Sequence, residues 1–201
     1  MRSWLTNMQW CPWCGDFFIV MALKNAFKEL EIASHNRVVV SGVGCSGKAS
    51  QYVDGYAAET LHGRAVPFAM GVKLANPELT VIIMGWDGDG YGIGMGHFIH
   101  ACRRNLDMVY IVFDNENYAL TTWQSSPTTP IGAKTKTTPD GNTVFPFNPL
   151  KLAEDAGCGF AKLGYSKDFR QLKEIIKEAI QYPWFALINV IQDCPSFKRW
   201  D

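Results

Sequence analysis

Two apolar patterns alternate along the chain. Four short runs, RVVVSG (37–42), LTVIIMG (79–85), MVYIVFDN (108–115) and FALINVIQ (185–192), are apolar at successive positions and rich in β-branched residues. Such runs predict strands covered on both faces, as in a parallel sheet. A weaker strand is predicted at 161–163. Between the runs, apolar residues recur at helical spacing over 17–30, 65–75, 94–104, 149–156 and 168–181. The clearest helix is FRQLKEIIKEAIQ, with Phe169, Leu172, Ile175, Ile176 and Ile180 on one face. Strands alternating with helices predict an α/β fold, a doubly wound, mostly parallel sheet occupying 1–201 as a single domain. Sheets of this kind take ligands at the carboxyl ends of their strands. From 121 to 148 both periods stop, and Thr, Pro and Gly dominate. A loop this long in a compact domain is expected to be functional or to meet a partner.

The remaining bulk properties narrow the function classes. Net charge is zero over 201 residues. That argues against a nucleic-acid partner or an acidic membrane surface, since both need a basic excess. No apolar run approaches the roughly 20 residues of a membrane span. The first residues, MRSWLTNMQWCPWCG, lack the apolar core of a signal peptide, so a cytoplasmic location is predicted. In that compartment the six cysteines are expected to be metal ligands, redox thiols or buried small residues, not disulfides.

The strand ending at Met84 runs into GWDGDGYGIG, with Asp87 and Asp89 among five glycines. The following strand runs into FDNENY, with Asn115 and Asn117. A carboxylate and an amide at neighbouring strand ends, with a backbone carbonyl and phosphate oxygens, make an all-oxygen site suited to Mg²⁺. Glycines let the backbone approach a phosphate, and a helix starting near Gly94 offers free N–H groups. One Gly-Asp loop alone reads as a tight turn. The second loop, one helix and one strand further on, favours a site.

Cys11 and Cys14 form a C-x-x-C pair. Cys45 follows the first strand in SGVGCSGK, and Cys194 follows the last in IQDCPSF. All four lie at loops or strand ends, where they can converge. Cys102 and Cys158 are expected to be packing residues. A C-x-x-C pair reads as a redox dithiol, half a zinc site or half an iron–sulfur site. One pair plus two single cysteines suits a [4Fe–4S] cluster, and structural zinc is the alternative.

An acidic G-D-G followed about thirty residues later by an asparagine is the thiamine-diphosphate signature. The segments GWDGDGYGIGMGHFIHACRRN, YIVFDNENYALT and QSSPTT, with the four cysteines, resemble the β subunit of 2-oxoacid:ferredoxin oxidoreductases, over about Trp10 to Phe197. The resemblance implies that Asp87, Asn115 and the carbonyl of Asn117 hold the Mg²⁺ that bridges the diphosphate. Asp89, in the literal Gly88-Asp89-Gly90, is the rival ligand. Cys11, Cys14, Cys45 and Cys194 are implied as the cluster ligands. Gly44, Ser46, Gly88, Asp89 and Thr121 are implied as cofactor contacts. Lys48 is placed near the 2-oxoacid, His62 beside the cofactor, and Leu120 at the substrate border; these three are the implied catalytic group. Arg64 reads as structural or interfacial. Thr122 stands where some members carry a lysine. Fewer cations there weaken binding of a distal carboxylate, so a small 2-oxoacid such as pyruvate is expected.

The implied activity is oxidative decarboxylation of a 2-oxoacid to acyl-CoA, with electrons leaving through the cluster to ferredoxin. The glutamate that activates the aminopyrimidine is absent, since neither Glu59 nor Glu116 fits the family's arrangement. An α-type subunit is therefore expected to supply that half-site. Many members continue well beyond the fourth cysteine, whereas seven residues follow Cys194 here, so a partner is also expected to help cover the cluster. Three positions depart from the family: Trp86, Ala119 and Trp123 stand where glycine is usual. They motivate a second reading, an electron-transfer or metal-stabilised subunit that has lost thiamine diphosphate. A decarboxylase or synthase without redox chemistry is a third reading, and the four cysteines argue against it.

Overall fold

A computed structural model describes residues 8–197. Its helices are α1 (Gly15–Glu29), α2 (Ala65–Ala75), α3 (Met95–Arg104), α4 (Pro149–Asp155) and α5 (Phe169–Gln181). Its strands are β1 (Arg37–Ser41), β2 (Tyr56–Glu59), β3 (Thr80–Trp86), β4 (Val109–Asp114), β5 (Asn117–Tyr118), β6 (Gln124–Ser125), β7 (Phe160–Tyr165) and β8 (Ala186–Ile191). Six strands make one parallel sheet in the order β2-β1-β3-β4-β8-β7, and β5 and β6 form a short antiparallel ribbon.

The apolar runs are continuous because both faces of the sheet are covered. Val39, Ile82, Met84, Ile111 and Ile188 pack with Leu23 and Phe27 of α1 and Leu172 and Ile176 of α5. Val40, Val81, Ile83, Tyr110 and Leu187 pack with Ala69 of α2, Phe98 of α3 and Ala153 of α4 on the other face. Register pairs Met84 with Ile111 and Trp86 with Phe113, so β3 and β4 end side by side. Helix starts are capped as their sequences suggest. Asn148 accepts from Lys151 N ahead of Pro149, and Asp168 accepts from Gln171 N.

Strand order reverses between β1 and β3, the switch point where open α/β sheets bind ligands. The carboxyl end of β1 feeds GCSGK, and that of β3 feeds WDGDG. Two local differences from the sequence expectation occur. The edge strand β2, Tyr-Ala-Ala-Glu, is mostly exposed and shows no apolar run, so its pattern carries no strand signal. An unexpected π-helical turn, Gly88–Ile93, precedes α3 and is broken at the non-helical Gly92, so α3 itself begins at Met95, close to the expected start. Among the described residues no helix is long and apolar enough to cross a membrane.

The long loop is ordered without being periodic. Asn142 Nδ2 donates to Thr129 O and Val144 O, each at 2.9 Å, and its backbone exchanges hydrogen bonds with Gly132 and Ala133. Thr128, Thr129, Thr135 and Asn142 are buried. Ile131, Val144, Phe145 and Phe147 face outward.

Candidate functional site

Asp87 sits one residue past β3, fully buried. Its Oδ2 accepts from Thr128 Oγ1 at 3.0 Å, and its Oδ1 has no partner. The same Thr128 hydroxyl stands 2.7 Å from Asp114 Oδ1, at the end of β4. Burial first, and then Asp114, raises the Asp87 carboxyl well above the usual carboxylate range. Asn115 Oδ1 accepts from Asn117 N, while Asn117 Nδ2 donates to Asn115 O at 2.8 Å. Asn117 Oδ1 is buried and unpartnered. Two buried carboxylates share one hydroxyl proton here, and one oxygen of Asp87 is orphaned. That donor set fits a hard divalent cation.

Asp89 is differently occupied. Its Oδ1 takes both His62 Nδ1 and Gly63 N at 2.7 Å, which ties the β3 loop to the segment before α2. A Cβ on Gly42 would stand 2.0 Å from its Oδ2, so the bare backbone after β1 is required for this approach. His62 also lies parallel to Trp86, 6.4 Å between ring centres. Arg64 donates to His62 O.

Trp86 packs edge-on to Tyr118, and the glycines around it are bare where it lies. A Cβ on Gly44, itself at φ +89°, would meet its Nε1 at 2.9 Å, and one on Gly88 would meet its Cη2 at 2.7 Å. The indole thus fills the cradle that the glycines open. It leaves a small space of about 10 Å³, lined also by Asp16, Cys45, Ser46 and Asn115. Trp86 Nε1 and Ser46 Oγ are both buried without a partner. Two orphaned donors at the end of β1 and β3 fit the oxygens of an anionic group.

Cys11, Cys14, Cys45 and Cys194 line one cavity of about 190 Å³, together with Lys48, Asn115, Leu120, Thr122 and apolar walls that include Trp10 and Phe197. Cys14 Sγ accepts from Gln192 Nε2 at 3.1 Å, and Cys11 Sγ from Ser196 Oγ at 3.2 Å. Burial raises the Cys14 thiol and pushes Cys45 up to about 12, and nearby acidic groups including the other thiols add to both. The thiols line the wall and do not close on a point: among the described residues no three His, Cys, Asp or Glu side chains form a metal-binding group. Four sulfurs, two of them already hydrogen-bonded, in an apolar shell fit a thiolate-held cluster. Cys102 and Cys158 lie apart from this cavity, buried in the core beside α2 and α3.

The thiamine pyrophosphate enzyme C-terminal TPP-binding domain family matches residues 32–190. The "2-oxoglutarate synthase subunit KorB" of Archaeoglobus fulgidus is 43% identical, over 99% of this chain and 74% of its own length. The chain belongs to the β subunits of the 2-oxoacid:ferredoxin oxidoreductase family. Another such β subunit, from Saccharolobus solfataricus, is 48% identical over 94% of this chain, which spans only 63% of that relative's length. A solved 2-oxoglutarate:ferredoxin oxidoreductase from Magnetococcus marinus, with 2-oxoglutarate, coenzyme A and succinyl-CoA bound, superposes with a TM-score of 0.95 at 38% identity, covering 96% of this chain and 67% of its own.

The family reading leaves several neighbours unforeseen. Thr128 and Asp114 back the Asp87 carboxylate. Asp16, next to the C-x-x-C pair, is buried, and burial lifts its carboxyl to about 7 against the pull of Cys14, Gln192 and Lys48. Gln192 reaches Cys14 from the end of β8. Thr121 Oγ1 is engaged with Gln124 Oε1 at 2.6 Å, within its own turn. Glu59 is held by Gln51 and Glu116 has a left-handed backbone at φ 60°.

Proposed function

We propose that this chain is the β subunit of a cytoplasmic enzyme that oxidatively decarboxylates a 2-oxoacid to acyl-CoA and passes electrons through a [4Fe–4S] cluster to ferredoxin. Asn115 is the observation that carries the reading. It lines the four-cysteine cavity and, at the end of β4, lies beside the loop that begins with Asp87. A diphosphate site and a thiolate site therefore share a wall.

Asp87 Oδ1, Asn115 and the Asn117 carbonyl would hold Mg²⁺, and Cys11, Cys14, Cys45 and Cys194 the cluster. Ser46 Oγ and Trp86 Nε1 would donate to the cofactor's anionic end. When bound, thiamine diphosphate supplies the nucleophilic carbon and the electron sink for decarboxylation, and the cluster supplies one-electron transfer. The chain's own residues do the positioning. Asp89 holds His62 by Nδ1 and so fixes the orientation of its ring. Lys48 lines the cavity with Nζ on Gln9 O at 3.1 Å, an ammonium placed for a substrate carboxylate. Leu120 lines the same cavity, half exposed, and keeps that border apolar. Neither Glu59, held by Gln51, nor Glu116 is placed as the glutamate for the aminopyrimidine, so an α-type subunit would provide it. Expectation of pyruvate rests on an uncharged Thr122. Lys136 Nζ lies 2.5 Å from Thr122 Oγ1, so a cation stands beside that uncharged position.

Anaerobically purified chain, assayed for iron, sulfide, Mg²⁺ and thiamine diphosphate, tests the reading. Cluster and cofactor in one-to-one ratio support it, and zinc without sulfide overturns it. A second reading, an electron-transfer subunit without thiamine diphosphate, is favoured by the indole of Trp86 filling the glycine cradle. Trp86→Phe separates the two. If the orphaned N–H serves the cofactor, the variant binds thiamine diphosphate more weakly. If the site is empty by design, neither protein binds it.

A further inference from the structure

Thr122 and Trp123 are consecutive non-glycine residues with left-handed backbones, φ 72° and 80°. Such a pair is strained and persists only where its surroundings hold it. Lys136, fourteen residues away, supplies part of that hold from both its main chain and its side chain. Its backbone N donates to Trp123 O at 2.9 Å, and its Nζ donates to Thr122 Oγ1 at 2.5 Å.

Thr122 lines the cavity that also holds Lys48. Lys48 lies in the wall of this cavity, and the Lys136 ammonium, itself outside the wall, bonds the wall residue Thr122. Among the described residues neither is paired with a carboxylate. Their protein acceptors are a carbonyl and a hydroxyl, each of which leaves ammonium hydrogens free. One 2-oxoacid carboxylate satisfies one ammonium. A second ammonium at the rim is complementary to a second carboxylate.

We propose that Lys136 is a specificity-determining residue that binds the distal carboxylate of a dicarboxylic 2-oxoacid at the rim of the cavity, beside Thr122. This rests on the 2-oxoacid reading above. Lys48 then takes the carboxylate next to the oxo group. The cation reaches the site from the irregular loop, and the strained Thr122–Trp123 turn sets its distance from the cavity. A monocarboxylic acid leaves Lys136 unpaired and gains nothing from it.

The test uses the assembled complex with its α-type subunit, with 2-oxoglutarate and pyruvate as probes. Lys136→Met keeps the stem and removes the charge on an exposed residue. The ratio of kcat/KM for 2-oxoglutarate over pyruvate should fall about ten- to a hundredfold, mainly through KM, the size of a lost charge-assisted hydrogen bond. Lys136→Arg should restore most of it. Calorimetric binding of 2-oxoglutarate should weaken by a similar factor. An unchanged ratio, or equal losses for both acids, overturns the proposal while leaving 2-oxoacid oxidation in place. A complex that reduces a viologen dye with pyruvate but not 2-oxoglutarate does the same. A complex inert to every 2-oxoacid sinks the broader reading, and calorimetry showing equal 2-oxoglutarate binding by both proteins then overturns the role of Lys136 separately.

Discussion

Asp89 Oδ1 stands 2.7 Å from His62 Nδ1, and the same oxygen takes the N–H of Gly63. That carboxylate is spent on joining two loops. Asp87, two residues earlier, keeps one oxygen unpartnered in a buried place. The two acids of the glycine loop are thus separated by their partners into a structural clamp and a carboxylate with one oxygen open.

The register follows. Asp87→Asn should lower Mg²⁺-dependent thiamine-diphosphate binding at least tenfold, the scale of a lost metal contact, and leave the apo fold at least as stable, since it removes a desolvated charge. Asp89→Asn should instead loosen the loop before α2, and show as lower thermal stability. Calorimetry and melting curves on both variants check this. Loss of metal binding in Asp89→Asn alone shifts the ligand by two residues.

Thr128 carries a single hydroxyl proton between Asp87 and Asp114. It can satisfy only one of them at a time, so a cation at Asp87 relieves the other. Thr128→Val keeps the volume and deletes the link. Metal affinity should drop about tenfold, with thiamine diphosphate following it, because residues behind a ligand fix its orientation. Titration of the chelator-treated protein with Mg²⁺, read by calorimetry, gives the number. An unchanged affinity shows that the backbone alone orients Asp87.

Strands were legible where burial on both faces made them apolar without a break, as at Val38–Val40 and Ile82–Met84. β2 was not, because Tyr56 and Glu59 lie on an exposed edge and Ala57 and Ala58 are too small to mark it. Strand-end placement of Asp87, Asn115 and the cysteines was readable from order alone. What stands behind them was not. Thr128 reaches Asp87 across 41 residues, and Lys136 reaches Thr122 through a loop ordered by Thr and Asn side chains with no period to follow. Sequence order alone gave no sign that the Lys136 ammonium stands beside the uncharged Thr122.

The cysteine cavity makes a sharper claim than the C-x-x-C spacing. Anaerobic protein should be brown, with about four irons and four sulfides per chain. Cys11→Ser and Cys194→Ser should both bleach it. Gln192→Leu should keep the iron and lower the reduction potential, since Cys14 loses an N–H donor that stabilises the reduced, more negative state. Cys102→Ser and Cys158→Ser should keep colour and potential; Cys102→Ser should lower stability by burying a hydroxyl in the apolar core, while at Cys158 the hydroxyl meets the Phe160 and Phe185 carbonyls and costs less. Iron analysis and a redox titration distinguish these outcomes.

The exposed side of the long loop bears on assembly. Phe145 is 82% exposed and Val144 71%, with Ile131 and Phe147 also outward, although the loop beneath them is pinned by Asn142 and buried threonines. An ordered loop that presents large apolar side chains to water is held in shape for a contact. Leu61 and Ile93, near the His62–Asp89 clamp, are exposed as well. On the proposed function a partner's aminopyrimidine half-site would approach the loop after β3, and these residues lie in the segments around it. The chain alone should decarboxylate no 2-oxoacid, and mixing with an α-type subunit should restore CoA-dependent dye reduction. Phe145→Glu, on an exposed tip, should leave melting temperature and iron content unchanged. It should weaken subunit association by at least tenfold, about the 1–2 kcal/mol scale of an apolar anchor at an interface. Analytical ultracentrifugation of the mixed subunits measures that change. Robust turnover by the single chain, or full-strength assembly of the variant, would show that the half-site lies elsewhere.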